Sequence, residues 1–382
     1  MEASTPAPVA RTSRKWTVFW RLAGAVFFTL FLARALRSSR DDFLAYYAAG
    51  LRAIHGNSPY IAEETPFRYL PMTAYFFAPL TLFPVKVARV IFFALNYGAC
   101  VALYAGFRKR LGDLAAFLLL ALFARFHNHD FGNAQVNPVL LVLFFYWWLA
   151  RARNLAASSL SFSLFGSFKL LPFAIGFPLL VRSRWREIAW IAIWTLVLNF
   201  LPVFFYGNGP LVFGDWYAHT KGVTDPTMLP NVQAIQSALW WILEGRMTPE
   251  TFRILERVFQ AALLVAAVAL APKRNREAWM IAGTLAVTVL CSPLAWKHNY
   301  LQFLPLVALW FLEDPGFAER RTRVLYGVAS AGLVALPSLF GLGDRTFADH
   351  LYFMPWTGVI LVVLGPILAR RAERDQILPI EK

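Results

Sequence analysis

Residues 16–35 read WTVFWRLAGAVFFTLFLARA, an apolar run that follows a basic start containing Arg11, Arg14 and Lys15. A helix of about 20 apolar residues is long enough to cross the hydrocarbon core of a bilayer. A polar start followed by an apolar run is also typical of a signal peptide, but more apolar runs follow this one. We therefore expect an uncleaved signal anchor whose N-terminus is cytoplasmic.

The composition extends this prediction to the whole chain. Hydrophobic residues make up 58% of the 382 residues and charged residues only 15%, with a mean hydropathy of +0.50. A soluble domain of this size could not hide so much apolar surface, so the class is an all-α polytopic membrane protein. The net charge of +15 comes largely from short loops, where it fixes topology and does not indicate a nucleic-acid partner. Cys100 and Cys291 lie in apolar segments and suggest neither a disulfide nor a metal cluster.

Clusters of Arg and Lys separate the apolar runs and predict the topology. If all clusters are cytoplasmic, the chain must leave and return between them, and most intervals contain the required pair of spans. The pairs are 111–126 with 138–150, 187–206 with 252–271, 278–291 with 299–312, and 324–341 with 352–369. The clusters are Arg11/Arg14/Lys15/Arg21, Arg108/Lys109/Arg110, Arg151/Arg153, Arg182/Arg184/Arg186, Lys273/Arg274/Arg276, Arg320/Arg321/Arg323 and Arg370/Arg371/Arg374.

Two intervals do not hold a simple pair of spans. PMTAYFFAPLTLFP (71–84) is short and has three prolines, so we expect it to lie at the interface, in a first outer loop (about 37–86) with two surface helices. The apolar stretch 154–181 is too short for two full spans and should form two half-length helices that break at FKLLP (168–172). Lys169 would then lie deep in the membrane, beside protein or a water-filled cavity.

The resulting architecture is a single membrane domain over residues 16–370, with about 11–12 spans. Residues 1–15 and 371–382 form cytoplasmic tails. The outer loops contain the polar segments and the histidines, whereas the inner loops are almost purely basic. The functional site is therefore expected on the extracytoplasmic face of the plasma (inner) membrane.

Several segments resemble glycosyltransferase family 87, the polyprenol-phosphate-mannose-dependent mannosyltransferases of the GT-C superfamily. The first outer loop reads DDFLAYYAAGLRAIHGNSPY (41–60) and FRYLPMTAYFFAPLTLFP (67–84). GNAQVN (132–137) is similar to the Gly-Gln-x-Asn element, FKLLP to Lys-x-x-Pro, and SPLAWKHNY (292–300) to Ser-Pro-x-x-Trp-x-His. Two departures are visible: GNAQVN has residues inserted between Gly132 and Gln135, and His298–Asn299 replaces a common His pair.

The resemblance implies a GT-C-type bundle that acts as an inverting glycosyltransferase. A sugar, most often mannose, would pass from a polyprenyl-phosphate donor to a hydroxyl of a glycolipid or glycan acceptor, at the outer face of the bilayer. An aspartate of the first loop serves as general base in such enzymes. The lipid-linked sugar phosphate is a substrate, and neither a cofactor nor a nucleic-acid partner is expected.

The chain contains the residue types that this reaction would need, namely a carboxylate and several cations. Inverting transfer needs a carboxylate to accept the proton of the acceptor hydroxyl, and a phosphate leaving group needs cations instead of a second acid. We predict Asp42 as the base, with Asp41 as the alternative, and no metal. The predicted phosphate ligands are Lys169, Lys297, His298 and Arg68. The predicted substrate-lining residues are Tyr46, Tyr47, His127, His129, Gln135, Asn137 and Trp296.

Other interpretations of these residues remain open at this point. SRDD (39–42) fits a capping box, in which Ser39 and Asp42 only cap a helix. Lys169 could extend toward the interface, and the aromatic side chains could be ordinary interface anchors. HNHD (127–130) could bind a metal, although polar lining is favoured. A transporter or flippase of a lipid-linked or anionic substrate is the alternative function.

Overall fold

The computed structural model describes residues 14–37, 42–60, 67–221, 234–243, 246–293, 295, 297–312 and 353–377. Every regular element in these ranges is a helix, so the all-α prediction is confirmed. The α-helices are α1 (Arg14–Arg37), α2 (Phe43–Ile54), α3 (Pro71–Phe77), α4 (Val85–Leu111), α5 (Asp113–Leu122), α6 (Ala124–Gly132), α7 (Asn137–Ala150), α8 (Leu155–Phe168), α9 (Gly176–Val181), α10 (Trp185–Phe200), α11 (Val212–Thr220), α12 (Ile235–Leu243), α13 (Pro249–Ala269), α14 (Arg276–Leu290), α15 (Leu304–Leu312) and α16 (Phe353–Ile377). The predicted span at 324–341 lies outside the described residues, so the total of about 11–12 spans stays a prediction.

Within the described ranges, three helical stretches are long and apolar enough to cross a membrane, namely Lys15–Arg37, Val85–Leu111 and Trp185–Phe205. Along α1, Leu22, Val26 and Leu30 are each about 60% exposed and form a continuous stripe. Such a stripe requires apolar surroundings, because water would disfavour it along the whole helix. The fold is therefore that of a polytopic membrane protein.

The segment 111–150 differs from the prediction of two spans and a polar outer loop. The first predicted span breaks at Phe123, and the polar residues that follow it form α6, which meets α7 at a bend of 120°. The reason lies in the spacing of the buried positions, which recur at i, i+3, i+4, i+7 and i+8, as on one face of a helix. These positions are Phe123, Phe126, His127, Asp130 and Phe131.

The segment predicted as the first outer loop contains two short helices, α2 and α3, as expected; their position at the outer membrane surface stays a prediction. Residues 71–84 divide into α3 and a 3-10 turn at Ala78–Leu82, and neither piece is long enough to span. The two helices approach each other at Gly50, where a β-carbon would lie 2.9 Å from the carbonyl carbon of Phe77. Only glycine allows this approach, so Gly50 fixes how α2 packs on the α3 segment.

The predicted break at FKLLP is confirmed. Helix α8 ends at Phe168, a 3-10 turn covers Leu171–Ile175, and α9 completes the return. Helix α8 has 14 residues and a length of about 21 Å, which is less than the thickness of a bilayer core. Lys169 lies at the corner of this short hairpin.

A cluster of ion pairs joins three helix ends near the start of α8. The Arg151 guanidinium lies 3.0 Å from a Glu277 carboxylate oxygen and 3.6 Å from Glu187, and Arg184 pairs with Glu277 at 2.8 Å. The end of α7 and the starts of α10 and α14 are therefore on one side of the bundle. The basic clusters predict the same grouping, while the membrane side on which it lies stays a prediction.

Candidate active site

Asp42 immediately precedes α2, and tertiary contacts hold it in place. Its backbone N–H donates to the carbonyl of Asn133 at 3.2 Å, and its Oδ2 accepts a hydrogen bond from Nε2 of Gln135. Its side chain makes no capping hydrogen bond with α2. Because α2 begins at Phe43, Asp42 is not at the third helical position that a capping box requires. The carboxylate instead faces the Gln135 turn.

A chain of phenols continues from Gln135. The Tyr69 hydroxyl donates to Oε1 of Gln135 at 3.4 Å, and the hydroxyls of Tyr46 and Tyr69 are 3.1 Å apart. Because Tyr69 uses its only proton on Gln135, Tyr46 donates to Tyr69. Burial raises the pKa of both phenols, so both remain protonated near neutral pH. This arrangement orients the Gln135 amide, with its oxygen toward Tyr69 and its nitrogen toward Asp42.

The Gln135 turn is the sharp connection between α6 and α7. The Gln135 N–H donates to the carbonyl of Asp130 at 2.9 Å, and Nδ2 of Asn137 donates to Oδ1 of Asp130 at 2.6 Å. Between them, Ala134 has φ of +51°, the left-handed region that glycine favours. Glycine precedes glutamine in the Gly-Gln-x-Asn element, so the structure favours a different register: Ala134 replaces that glycine, and no residue is inserted.

Replacing Ala134 with glycine should stabilise the protein by about 0.5–1 kcal/mol. Relief of the left-handed strain contributes about 1–2 kcal/mol, and the greater freedom of the unfolded chain offsets about 0.4–1 kcal/mol of it. Thermal unfolding in detergent measures the change. Ala116→Gly, at a buried position inside α5, is the matched control and should destabilise. A lower melting temperature for Ala134→Gly would contradict the proposed register.

A cavity of about 410 Å³ lies beside this network. Lys169 is at its wall, donates from Nζ to Oδ1 of Asn299 at 3.0 Å, and lies 5.8 Å from the centre of the Tyr69 ring. The carboxylates of Asp42 and Asp130 are within electrostatic reach of this ammonium. The cavity lining is Arg68, Tyr69, Leu70, Ser167, Phe168, Lys169, Leu170, Leu171, Pro172, Trp216, Tyr217, Thr220, Lys221, Thr288, Val289, Ser292, Pro293, Asn299 and Gln302.

Arg68 adds a second predicted cation to the same cavity. Burial lowers the pKa of its guanidinium, and the nearby Asp42 carboxylate partly offsets that effect. The indole of Trp216 donates to the Arg68 carbonyl at 3.3 Å, which ties α11 to the first outer loop. The structure therefore brings Arg68, Lys169 and Asp42 into one neighbourhood, although they are far apart in sequence.

Other predicted site residues lie away from the cavity lining. The ring of His127 is fully buried, packs against Phe28 and Phe31, and lies 3.9 Å from the sulfur of Cys100. The Tyr47 hydroxyl donates to the carbonyl of Phe83 at 2.9 Å. These contacts are those of packed structural side chains, and a substrate-lining role for either residue stays a prediction.

Two further predicted cations, Lys297 and His298, lie in the last polar segment. Lys297 and His298 are buried in the 3-10 helix Lys297–Phe303, and His129 is within electrostatic reach of His298. Asp41 and Trp296 lie outside the described residues. No group of three or more potential metal-ligating residues occurs in the described part of the chain.

Three residues of the site were not among the sequence candidates. Tyr69 belongs to the segment FRYLPMTAYFFAPLTLFP (67–84) that carries the resemblance, but only the structure places it between Gln135 and Lys169. Asn299 occupies the position where a His pair is common, and its role is to accept from Lys169. Asp130 was considered only as part of a metal site, whereas it is buried and closes the Gln135 turn.

A helical membrane protein with a cavity whose lining includes cations and with a carboxylate held nearby has the features of an integral membrane enzyme. The comparison with family models identifies which one: Glycosyltransferase family 87 matches residues 67–295, which is more than half of the chain. The chain belongs to this family and is a glycosyltransferase. No curated protein matches the sequence. The matched range includes Arg68, Gln135 and Lys169, whereas Asp42 and His298 lie outside it.

Proposed function

We propose that the protein is an inverting glycosyltransferase that uses a polyprenyl-phosphate-linked sugar as donor. The proposed donor sugar is mannose. The acceptor is a hydroxyl of a glycolipid or glycan, and transfer takes place at the extracytoplasmic face of the plasma membrane. Both termini are cytoplasmic in this proposal. The observation that supports it best is the position of Asp42: it is held by Gln135, and Gln135 is bonded to Tyr69, which lines the same cavity as Lys169 and Arg68.

In the proposed reaction, Asp42 acts on the acceptor hydroxyl and the cations act on the donor phosphate. The acceptor oxygen attacks the anomeric carbon opposite to the phosphate, and the bond between that carbon and the phosphate oxygen breaks. Asp42 accepts the proton of the acceptor hydroxyl as the new bond forms. The electron pair leaves with the polyprenyl phosphate, whose added negative charge the cations stabilise. No proton is needed on the leaving oxygen, so one carboxylate is sufficient.

The proposed donor-phosphate ligands are Lys169 and Arg68, which line the cavity, and Lys297 and His298, which are buried in the 3-10 helix that also contains Asn299. Lys169 is partly buried, and a lysine inside a membrane protein is costly unless a counter-charge is near. Asp42 and Asp130 offset part of that cost, and a bound phosphate diester would offset more. The proposed reaction requires neither a metal nor a cofactor.

The test is sugar transfer by purified protein in lipid vesicles. With a polyprenyl-phosphate mannose donor and a glycolipid acceptor, we expect a glycoside of inverted anomeric configuration and free polyprenyl phosphate. Nucleotide sugars should not serve as donors. Transfer from a nucleotide sugar, or a retained configuration, would contradict the proposal. Movement of the lipid-linked sugar across the vesicle membrane without a glycoside product would favour the transporter.

A further inference from the structure

Asp130 is a buried acid that the proposed reaction uses neither as the base nor as a phosphate ligand. Its side chain is 0% exposed, and it is not among the cavity-lining residues. Oδ1 accepts from Asn137 at 2.6 Å, and Oδ2 has no hydrogen-bond partner among the described residues. A buried carboxylate with one oxygen unsatisfied is costly, and such a group usually has a specific role.

The contacts of Asp130 all lie at the Gln135 turn. Its carbonyl holds the Gln135 N–H at 2.9 Å, and its carboxylate holds the side chain of Asn137, the first residue of α7. The residue thus closes both ends of the turn at which α6 and α7 bend by 120°. From this turn, Gln135 contacts the Asp42 carboxylate, and the Asn133 carbonyl accepts the Asp42 N–H.

We infer that Asp130 is a positioning residue for the catalytic base. Its hydrogen bonds set the turn that directs the Gln135 amide toward Asp42, so the orientation of the base depends on Asp130 through Gln135. The inference rests on the proposed function. It differs from a purely structural role, because loss of Asp130 should slow the chemical step of correctly folded protein.

The kinetic test compares Asp130→Leu with Asp130→Asn. Leucine removes the acceptor, so we expect kcat to fall by about 10- to 100-fold, because small displacements of reacting groups are costly. The KM for the donor should stay within about twofold, because Asp130 does not line the cavity. Asparagine keeps an oxygen that accepts from Asn137 and should retain kcat within about threefold. An equal loss in both variants, or a loss in folded yield alone, would overturn the inference.

A double-mutant cycle with Gln135→Leu tests the route of the effect. If Asp130 acts through Gln135, Asp130→Leu should have little further effect on kcat in the Gln135→Leu background. If the double variant instead lost kcat by the product of the two single losses, this route would be overturned. Should Asp130→Leu not fold, Asn137→Ala removes the same hydrogen bond from its other partner and replaces it in the cycle.

Hydrogen exchange gives a readout that does not depend on activity. Because the Asp42 amide is bonded to the Asn133 carbonyl, its exchange should become faster in Asp130→Leu and remain unchanged in Asp130→Asn. Unchanged exchange in Asp130→Leu would overturn the inference. The wild-type assay separates the two failures: an inactive wild type contradicts the proposed donor chemistry, while faster exchange would still support the link between Asp130 and Asp42.

Discussion

Replacing Asp42 with asparagine should lower kcat for sugar transfer by about 100- to 10,000-fold, the usual contribution of a general base. Asparagine has nearly the same shape and keeps an oxygen that can accept from Gln135, so the turn and α2 should stay in place. Donor binding should be retained, since the cations of the cavity wall are unchanged. Initial rates and donor binding to purified protein in vesicles measure the two effects separately.

Asp113→Asn is the matched control for the Asp42 variant. Asp113 is also an aspartate whose side chain accepts hydrogen bonds in a helical membrane protein, from Arg21 and Tyr104 at 3.1 Å each, but it lies at the start of α5 and not at the site. Its loss should cost less than about 1 kcal/mol of stability and leave the rate unchanged. Full activity of Asp42→Asn would remove this residue from the mechanism and direct attention to Asp41.

Two features of the fold could be predicted because each follows from a single physical cause that is visible in the sequence. Length and hydropathy identify Val85–Leu111 as a span, because a bilayer sets the length of a helix that crosses it. The break at Lys169 follows from an apolar stretch too short for two full helices. Both predictions need only local information and the thickness of the membrane.

The helix α6 could not be predicted in this way, because its polar residues resemble a loop. His127 and Asp130 lie on the buried face. There His127 packs against aromatic rings, and Asp130 accepts a hydrogen bond from Asn137. Polar composition indicates solvent contact only when no buried partner exists, and partners distant in sequence are not visible in the pattern.

The sequence predicted several residues of the candidate site but not the contacts between them. Asp42, Gln135 and Lys169 were identified from their residue types and motifs, but the hydrogen bond from Gln135 to Asp42 joins residues 93 positions apart. Tyr69 and Asn299 complete the site because of where the chain places them. Such contacts depend on tertiary packing, which a motif read along one chain does not specify.

Replacing Lys169 with methionine should lower kcat/KM for the donor by about 100- to 1,000-fold. A cation that contacts the donor phosphate supports binding and also stabilises the negative charge that develops on the leaving oxygen. Methionine has a similar length and no charge, so thermal stability should stay the same or rise, because an ammonium inside a membrane protein is costly. Steady-state kinetics with varied donor, together with thermal unfolding, measure the two effects.

Lys169→Arg and Lys109→Met complete the comparison. Arginine keeps the positive charge and should retain more of the donor kcat/KM than methionine does, although its planar group fits the Asn299 contact less well. Lys109 lies exposed at the end of α4, so its loss should change neither kinetics nor stability.

If Lys169→Met left donor kinetics unchanged, Lys169 would be a lysine that only extends toward the interface, and the phosphate would have to be bound by Arg68 and other cations. A loss of activity together with a raised melting temperature would instead identify Lys169 as a cation kept for catalysis at the expense of stability.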